Sequence, residues 1–287
     1  MREPMIRNDS DPRPCIDDAP QNDEDGCSPR HPWRQATMHF ADYAQADAAG
    51  RDLGAALVAA ENDHLLDAWW FIRKSPCWRL RFQPTSPVDD AATKAVHDHL
   101  HALRERGRIA GWSETLYEPE TFAFGGPPAM QIAHRLFHQD SRHLLTTAPR
   151  SRARARALSI LACVSLMRSA GQDWYEQGDI WARVAEHRRC PPDLVSDSRS
   201  LEPSLTRLLS AQTPDTNALG KDADLAHWIG AFGATGRDLG RLAHDGTLQR
   251  GLRAVLAHHI IFHWNRAGLS HDAQAVLARA ASTVVLG

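Results

Sequence analysis

A chain of 287 residues with 43% hydrophobic content can bury one large core or two small ones, which excludes a fibre and a wholly disordered protein. Thirty-three Lys and Arg against 35 Asp and Glu leave a net charge of −2, so no global field directs the chain to nucleic acid or to an anionic membrane. The five cysteines form neither a CxxC pair nor a small disulfide framework, which fits a reducing cytoplasm, and no apolar run approaches the roughly 18 residues needed to span a bilayer.

In chain order, residues 1–32 combine six prolines and eight acidic residues with few large aliphatics and no apolar export signal, and are expected to form a disordered tail. "WRQATMHF" then reads as a strand and "ADYAQADAAGRDLGAALVAAENDH" as a helix with Ala49, Leu53, Leu57 and Ala60 on one face. "LDAWWFIRKSPCWRLRFQP" predicts a hairpin turning at Ser75 and Pro76. A helix capped by Asp89 and Asp90 runs to Arg106, Gly107 ends it, and a strand from Ile109 to about Glu118 follows. The order β-α-β-β-α-β is that of a ferredoxin-like antiparallel sheet with its helices on one face. After Gly126, "PPAMQIAHRLFHQDSRHLL" and the segments beyond it keep helical spacing. The expected architecture is therefore α+β: a ferredoxin-like half over 33–126 followed by an all-helical half over 127–287.

Several side chains have spacings that suit chemistry. Arg79 and Arg81 lie two apart on a strand, so both guanidiniums leave the same face and can grip a carboxylate or steady an enolate. The same spacing fits a solvated sheet face. Glu118 and Glu120 share a face if the strand continues past Pro119; such a pair can divide into acid and base, or stand in water at a strand end. Gly125 and Gly126 suit a tight turn beside them. On the last long apolar helix, His259 and His263 stand at i, i+4, but no third metal ligand lies nearby, and the preferred reading is a single functional His263 beside Asn265 and Arg266. A satisfied core histidine fits the same place. His97 and His101 read as a solvated face, and Arg150, Arg152, Arg154 and Arg156 as a basic helix start. There is no Walker motif, dinucleotide fingerprint or GxSxG elbow.

Taken together, "WWFIRKSPCWRLRF", "YEPETFAFGGPPAM", "HRLFHQDSRHLL" and "FHWNRAGL" resemble the C-terminal domain of class I lanthipeptide dehydratases, which also stands alone as the thiopeptide-type bacteriocin biosynthesis protein. The resemblance runs from about Trp33 to about Leu269. It implies a ribosomally made precursor peptide as substrate and a lyase reaction, expelling glutamate from glutamylated Ser or Thr to leave dehydroalanine or dehydrobutyrine. Pyridine synthases of thiopeptide maturation, which join two dehydroalanines in a formal cycloaddition, are relatives too, and a non-catalytic leader-binding subunit of a split dehydratase is a further alternative. No metal or cofactor is implied.

By the same resemblance Arg79, Arg81, Glu120 and His263 are the catalytic positions, in a crevice between the two halves, with Arg73, Glu118, Gly125, Gly126, Asn265 and Arg266 binding substrate. The large glutamylation region is missing, so tRNA binding is not expected and a separate glutamylating protein becomes the expected partner. The leader could add as a strand to a sheet edge. One departure stands out: the family turn Glu-x-x-Arg-Tyr-Gly-Gly has Ala123 and Phe124 in the Arg and Tyr places, so one cationic contact is lost unless a neighbour such as Arg73 or Lys74 supplies it.

Overall fold

The computed structural model describes residues 32–86, 88–147, 151–210 and 223–287; the expected tail, apart from residue 32, and Arg150 lie outside them. The first half contains β1 (Arg34–His39), α1 (Ala46–Asn62), β2 (Leu66–Lys74), β3 (Cys77–Pro84), α2 (Ala91–Glu105) and β4 (Gly111–Thr115). The sheet order is β2-β3-β1-β4 with every neighbour antiparallel, the ferredoxin-like arrangement expected from the element order. The turn of the β2–β3 hairpin falls at Ser75 and Pro76, where two aromatic, alternating runs meet.

Alternation along the strands gives the sheet two different faces. Ala36, Met38, Phe71, Trp78 and Leu80 pack with Leu53 and Leu57 of α1 and Val96, Leu100 and Leu103 of α2, forming one buried core. Each such large side chain contributes about 1.5–3 kcal/mol when withdrawn from water. On the opposite face, polar side chains of β3, β1 and β4 run in rows that begin at an apolar β2 residue: Trp70, Arg81, Gln35 and Thr115 in one, Ile72, Arg79, Thr37 and Ser113 in the next.

Two local expectations change. β4 ends at Thr115 rather than near Glu118, because its partner β1 begins at Arg34 and the ladder ends with the Gln35–Thr115 pair. Glu118 and Glu120 therefore do not share a strand face. At α2, Asp90 makes no side-chain cap; the Ala91 N–H donates to Asp89 Oδ1 at 2.9 Å instead.

The second half is helical among the described residues: α3 (Pro127–Thr146), α4 (Arg152–Ser169), α5 (Trp174–His187), α6 (Val195–Ser210), α7 (Ala223–His244), α8 (Leu252–Arg266) and α9 (His271–Leu286). α3 starts at Pro127, where a missing N–H costs nothing, directly after Gly126 at φ 102°. α5 carries a reciprocal capping box between Asp173 and Glu176. α9, capped by Ser270, lies within the half expected to be all helical. α4 to α9, with one face of α3, enclose a core around Trp181, Phe232 and Trp264. A third cluster joins the halves: Trp70 and Ile72 of β2 meet Met130 and Phe137 of α3, Phe262 of α8, and Phe124. No described helix is long and apolar enough to cross a membrane.

Candidate functional site

Arg81 sits at the centre of the polar sheet face, only 6% exposed. Its Nε donates to Gln35 Oε1 at 2.6 Å, and Gln35 is held in turn by donating to Thr115 Oγ1 at 2.8 Å and to the Leu116 carbonyl at 3.0 Å. The guanidinium lies 4.2 Å from the Trp70 ring centre and 4.7 Å from that of Tyr117, two rings set nearly perpendicular to each other. The aromatic contacts and the bonded Nε fix the group, which leaves the outer fork as the edge able to take a carboxylate. Burial lowers its pKa to about 10, with Arg79 adding repulsion and Glu120 opposing the shift. Arg79 is half-buried on the same face.

The segment after β4 brings the second component. Tight turns link Thr121 N–H to the Pro119 carbonyl and Gly126 N–H to the Thr121 carbonyl, fixing Glu120 at the edge of the sheet face. Glu120 Oε2 lies 3.2 Å from His258 Nε2 on α8. That hydrogen bond holds the Glu120 carboxyl below its ordinary pKa although partial burial opposes the shift. Lys74, at the end of β2, is close enough to feel both groups: burial and Arg79 lower its pKa, while Glu120 raises it. Tyr117 Oη is 2.7 Å from His134 Nε2, and burial raises the phenol's pKa, keeping it protonated.

His263 is not part of this face. It is fully buried, with Nδ1 donating to Asp140 Oδ2 at 2.9 Å and Nε2 within 2.8 Å of the Ser159 hydroxyl. Asp140 also accepts from Arg266 Nε at 2.8 Å and from Trp228 Nε1 at 3.0 Å. Burial pushes the Asp140 carboxyl up, but His263 and Arg266 outweigh it and hold it well below the usual carboxylate range. Ser159, His263 and Asp140 have the connectivity of a nucleophilic triad, yet all three are sealed from solvent, so the chain positions Arg266 rather than attacking a substrate. The histidine that stands beside Glu120 is His258, five residues earlier on the same helix.

The remaining expected positions divide. Arg73 donates to the Arg266 carbonyl at 2.8 Å, pairs with Asp47 and stacks 4.4 Å from the Trp78 ring, so it clamps β2 to α8 and α1 instead of reaching the turn. Asn265 accepts from Gln274 of α9. Arg266 is buried over the Phe137 ring at 4.4 Å, with both terminal nitrogens unpartnered. Glu118 is exposed. Gly125 and Gly126 pack on the loop before α8, and the Gln249 N–H donates to the Gly125 carbonyl at 2.9 Å. That loop also answers the departure at Ala123: Arg250 Nη1 donates to the Ala123 carbonyl at 2.7 Å, bringing a guanidinium to the turn from another element. Phe124 is fully buried against His258, His259 and Phe262. An open cavity of about 520 Å³ lies elsewhere, at Gln172, Glu176, Arg183 and the start of α8, and includes none of these residues.

The fold is similar to that of the tRNA-dependent lantibiotic dehydratase MibB from Microbispora sp. 107891, with a TM-score of 0.66 and 18% identity over 91% of this chain. The matched part is 28% of MibB, so the chain spans under a third of that protein's length. It is also similar in fold to TbtD, the pyridine synthase from thiomuracin biosynthesis, with a TM-score of 0.56 and 13% identity over 89% of this chain and 98% of TbtD. A search of curated protein sequences gives no match. Residues 33–285 match the model of the lantibiotic biosynthesis dehydratase C-terminal family, and the chain belongs to that family.

Proposed function

We propose that the chain is a lyase of ribosomal peptide maturation, which removes glutamate from glutamylated Ser or Thr of a precursor peptide and leaves dehydroalanine or dehydrobutyrine. The observation that carries this reading is Arg81, a buried, laterally fixed guanidinium with a free fork, beside the Glu120–His258 pair. Family membership supports a peptide substrate.

In this reading Glu120 accepts from His258 Nε2–H, which leaves the Nδ1 lone pair to take the α-proton of the glutamylated residue. The C–H electrons form the Cα=Cβ bond as the Cβ–O bond breaks. Arg81 stabilises the negative charge that develops on the adjacent carbonyl oxygen, and glutamate departs as a carboxylate into the field of Arg79 and Lys74. Arg250 at the Ala123 carbonyl keeps a cation near the turn from which the family arginine is missing. A separate protein supplies the glutamylated peptide, and the step asks for no cofactor.

The test is mass spectrometry of a glutamylated precursor incubated with the protein. Loss of one glutamic acid per site is expected. Ala123 and Phe124 favour a second reading, cycloaddition of two dehydroalanines, which would instead leave the glutamylated mass unchanged and convert a dehydroalanine-containing peptide. Unchanged mass of both peptides, with binding, would mark a leader-binding subunit and refute both chemistries.

A further inference from the structure

A buried guanidinium is usually paired with a carboxylate, which orients the group and also cancels its charge. Arg81 is held differently. Among the described residues no carboxylate pairs with it: Glu120, whose charge reaches it, is bonded to His258 instead. The Arg81 Nε–H donates to Gln35 Oε1 at 2.6 Å, a neutral acceptor that fixes the group and leaves its charge intact.

The amide of Gln35 can face only one way. Gln35 lies on β1 between its ladder partners, Arg81 on β3 and Thr115 on β4, and is 6% exposed. Both Nε2 protons have acceptors, Thr115 Oγ1 at 2.8 Å and the Leu116 carbonyl at 3.0 Å. Thr115 Oγ1 is itself 3.1 Å from Thr37 Oγ1 on the same face. A turned amide would set an N–H against the Arg81 Nε–H and an oxygen against the Leu116 carbonyl, two repulsive contacts in place of two hydrogen bonds. The ladder thus decides the direction of the amide, and the amide decides which nitrogen of Arg81 is spent.

We infer that Gln35 is a positioning residue: it pins Arg81 through Nε with a neutral oxygen, so that the fork and the positive charge are both kept for the substrate. Its effect on catalysis rests on the proposed lyase reaction; the pinning does not. A carboxylate in its place would hold the same nitrogen but oppose the negative charge that gathers on the substrate oxygen. An apolar side chain would leave the charge but release the group, and a misplacement of about 1 Å can cost up to about a hundredfold in rate.

The experiment follows solvent exchange of the Arg81 Nε–H by nitrogen–proton NMR, with the signal assigned by its loss in Arg81→Lys, beside single-turnover release of glutamate from a glutamylated precursor. Gln35→Met is expected to speed the exchange about tenfold, the scale of one hydrogen bond, and to slow release at saturating peptide about tenfold, with the half-saturating concentration within about twofold of wild type. Gln35→Glu should keep the exchange slow and yet slow release about tenfold. Thr115→Val, a change at an exposed position, removes one of the acceptors that orient the amide and should move both readouts about threefold in the same direction as Gln35→Met. Unchanged exchange in Gln35→Met and Thr115→Val, wild-type release by Gln35→Glu, or a loss in Gln35→Met carried by the half-saturating concentration alone would overturn the inference. If the wild type releases no glutamate, the lyase reading falls, and the exchange rates still decide whether Gln35 holds Arg81.

Discussion

His258, His259 and His263 share α8 but meet three different environments. His258 faces Glu120, His263 is locked between Asp140 and Ser159, and His259 is buried against Phe124 and Phe137 with neither ring nitrogen partnered. Burial lowers the pKa of His259 to about 3, helped by repulsion from His258 and Arg266. An unfolded histidine titrates near 6.5, so as pH falls below about 6.5 the unfolded chain takes up the proton first and stability declines. The contribution of His259 is complete above about pH 6.5 and shrinks as pH falls toward 3. His259→Phe removes this penalty. Urea denaturation at several pH values should show the wild type losing about 1 kcal/mol per pH unit more than the variant between pH 6 and 4; parallel curves would show that His259 does not stay neutral in the fold.

Among the elements, close approach of α4 and α7 depends on a missing side chain. A Cβ on Gly236 would lie 2.2 Å from the Leu166 carbonyl oxygen, whereas one on Gly230, on the same helix, would meet nothing within 4 Å. Gly236→Ala should therefore destabilise by about 1–3 kcal/mol, while Gly230→Ala stabilises by up to about 1 kcal/mol through helix propensity. Urea midpoints moving in opposite directions would bear this out; equal shifts would contradict the packing of α4 on α7. How far such elements were legible in the sequence depended on how local their determinants are. The β2–β3 hairpin and the shared face of Arg79 and Arg81 follow from alternation within one stretch of chain, and both were visible. The end of β4 was not, because it is set by where β1 starts, some eighty positions away. The face of α8 that meets Glu120 was hidden for a different reason: nearly every position from Val255 to Trp264 is buried, so periodicity does not say which histidine meets that segment. Arg250 was equally out of reach, since only the folded loop brings it to Ala123.

At the scale of the whole molecule, the halves that the sequence separates at Gly126 share a core through Trp70, Phe124, Phe137 and Phe262, and the candidate site straddles the same seam. Arg81 comes from the sheet, Glu120 from the segment that crosses between halves, and His258 from α8. Glu120 and His258 would then act as one unit, and units lose function non-additively. The direct measurement is single-turnover release of glutamate from a glutamylated precursor by the wild type, Glu120→Gln, His258→Ala and the double variant. Each single change is expected to slow release by about a hundredfold, and the double variant to be no slower than the worse single. Wild-type release from both single variants, or effects that simply multiply, would contradict a catalytic Glu120–His258 pair.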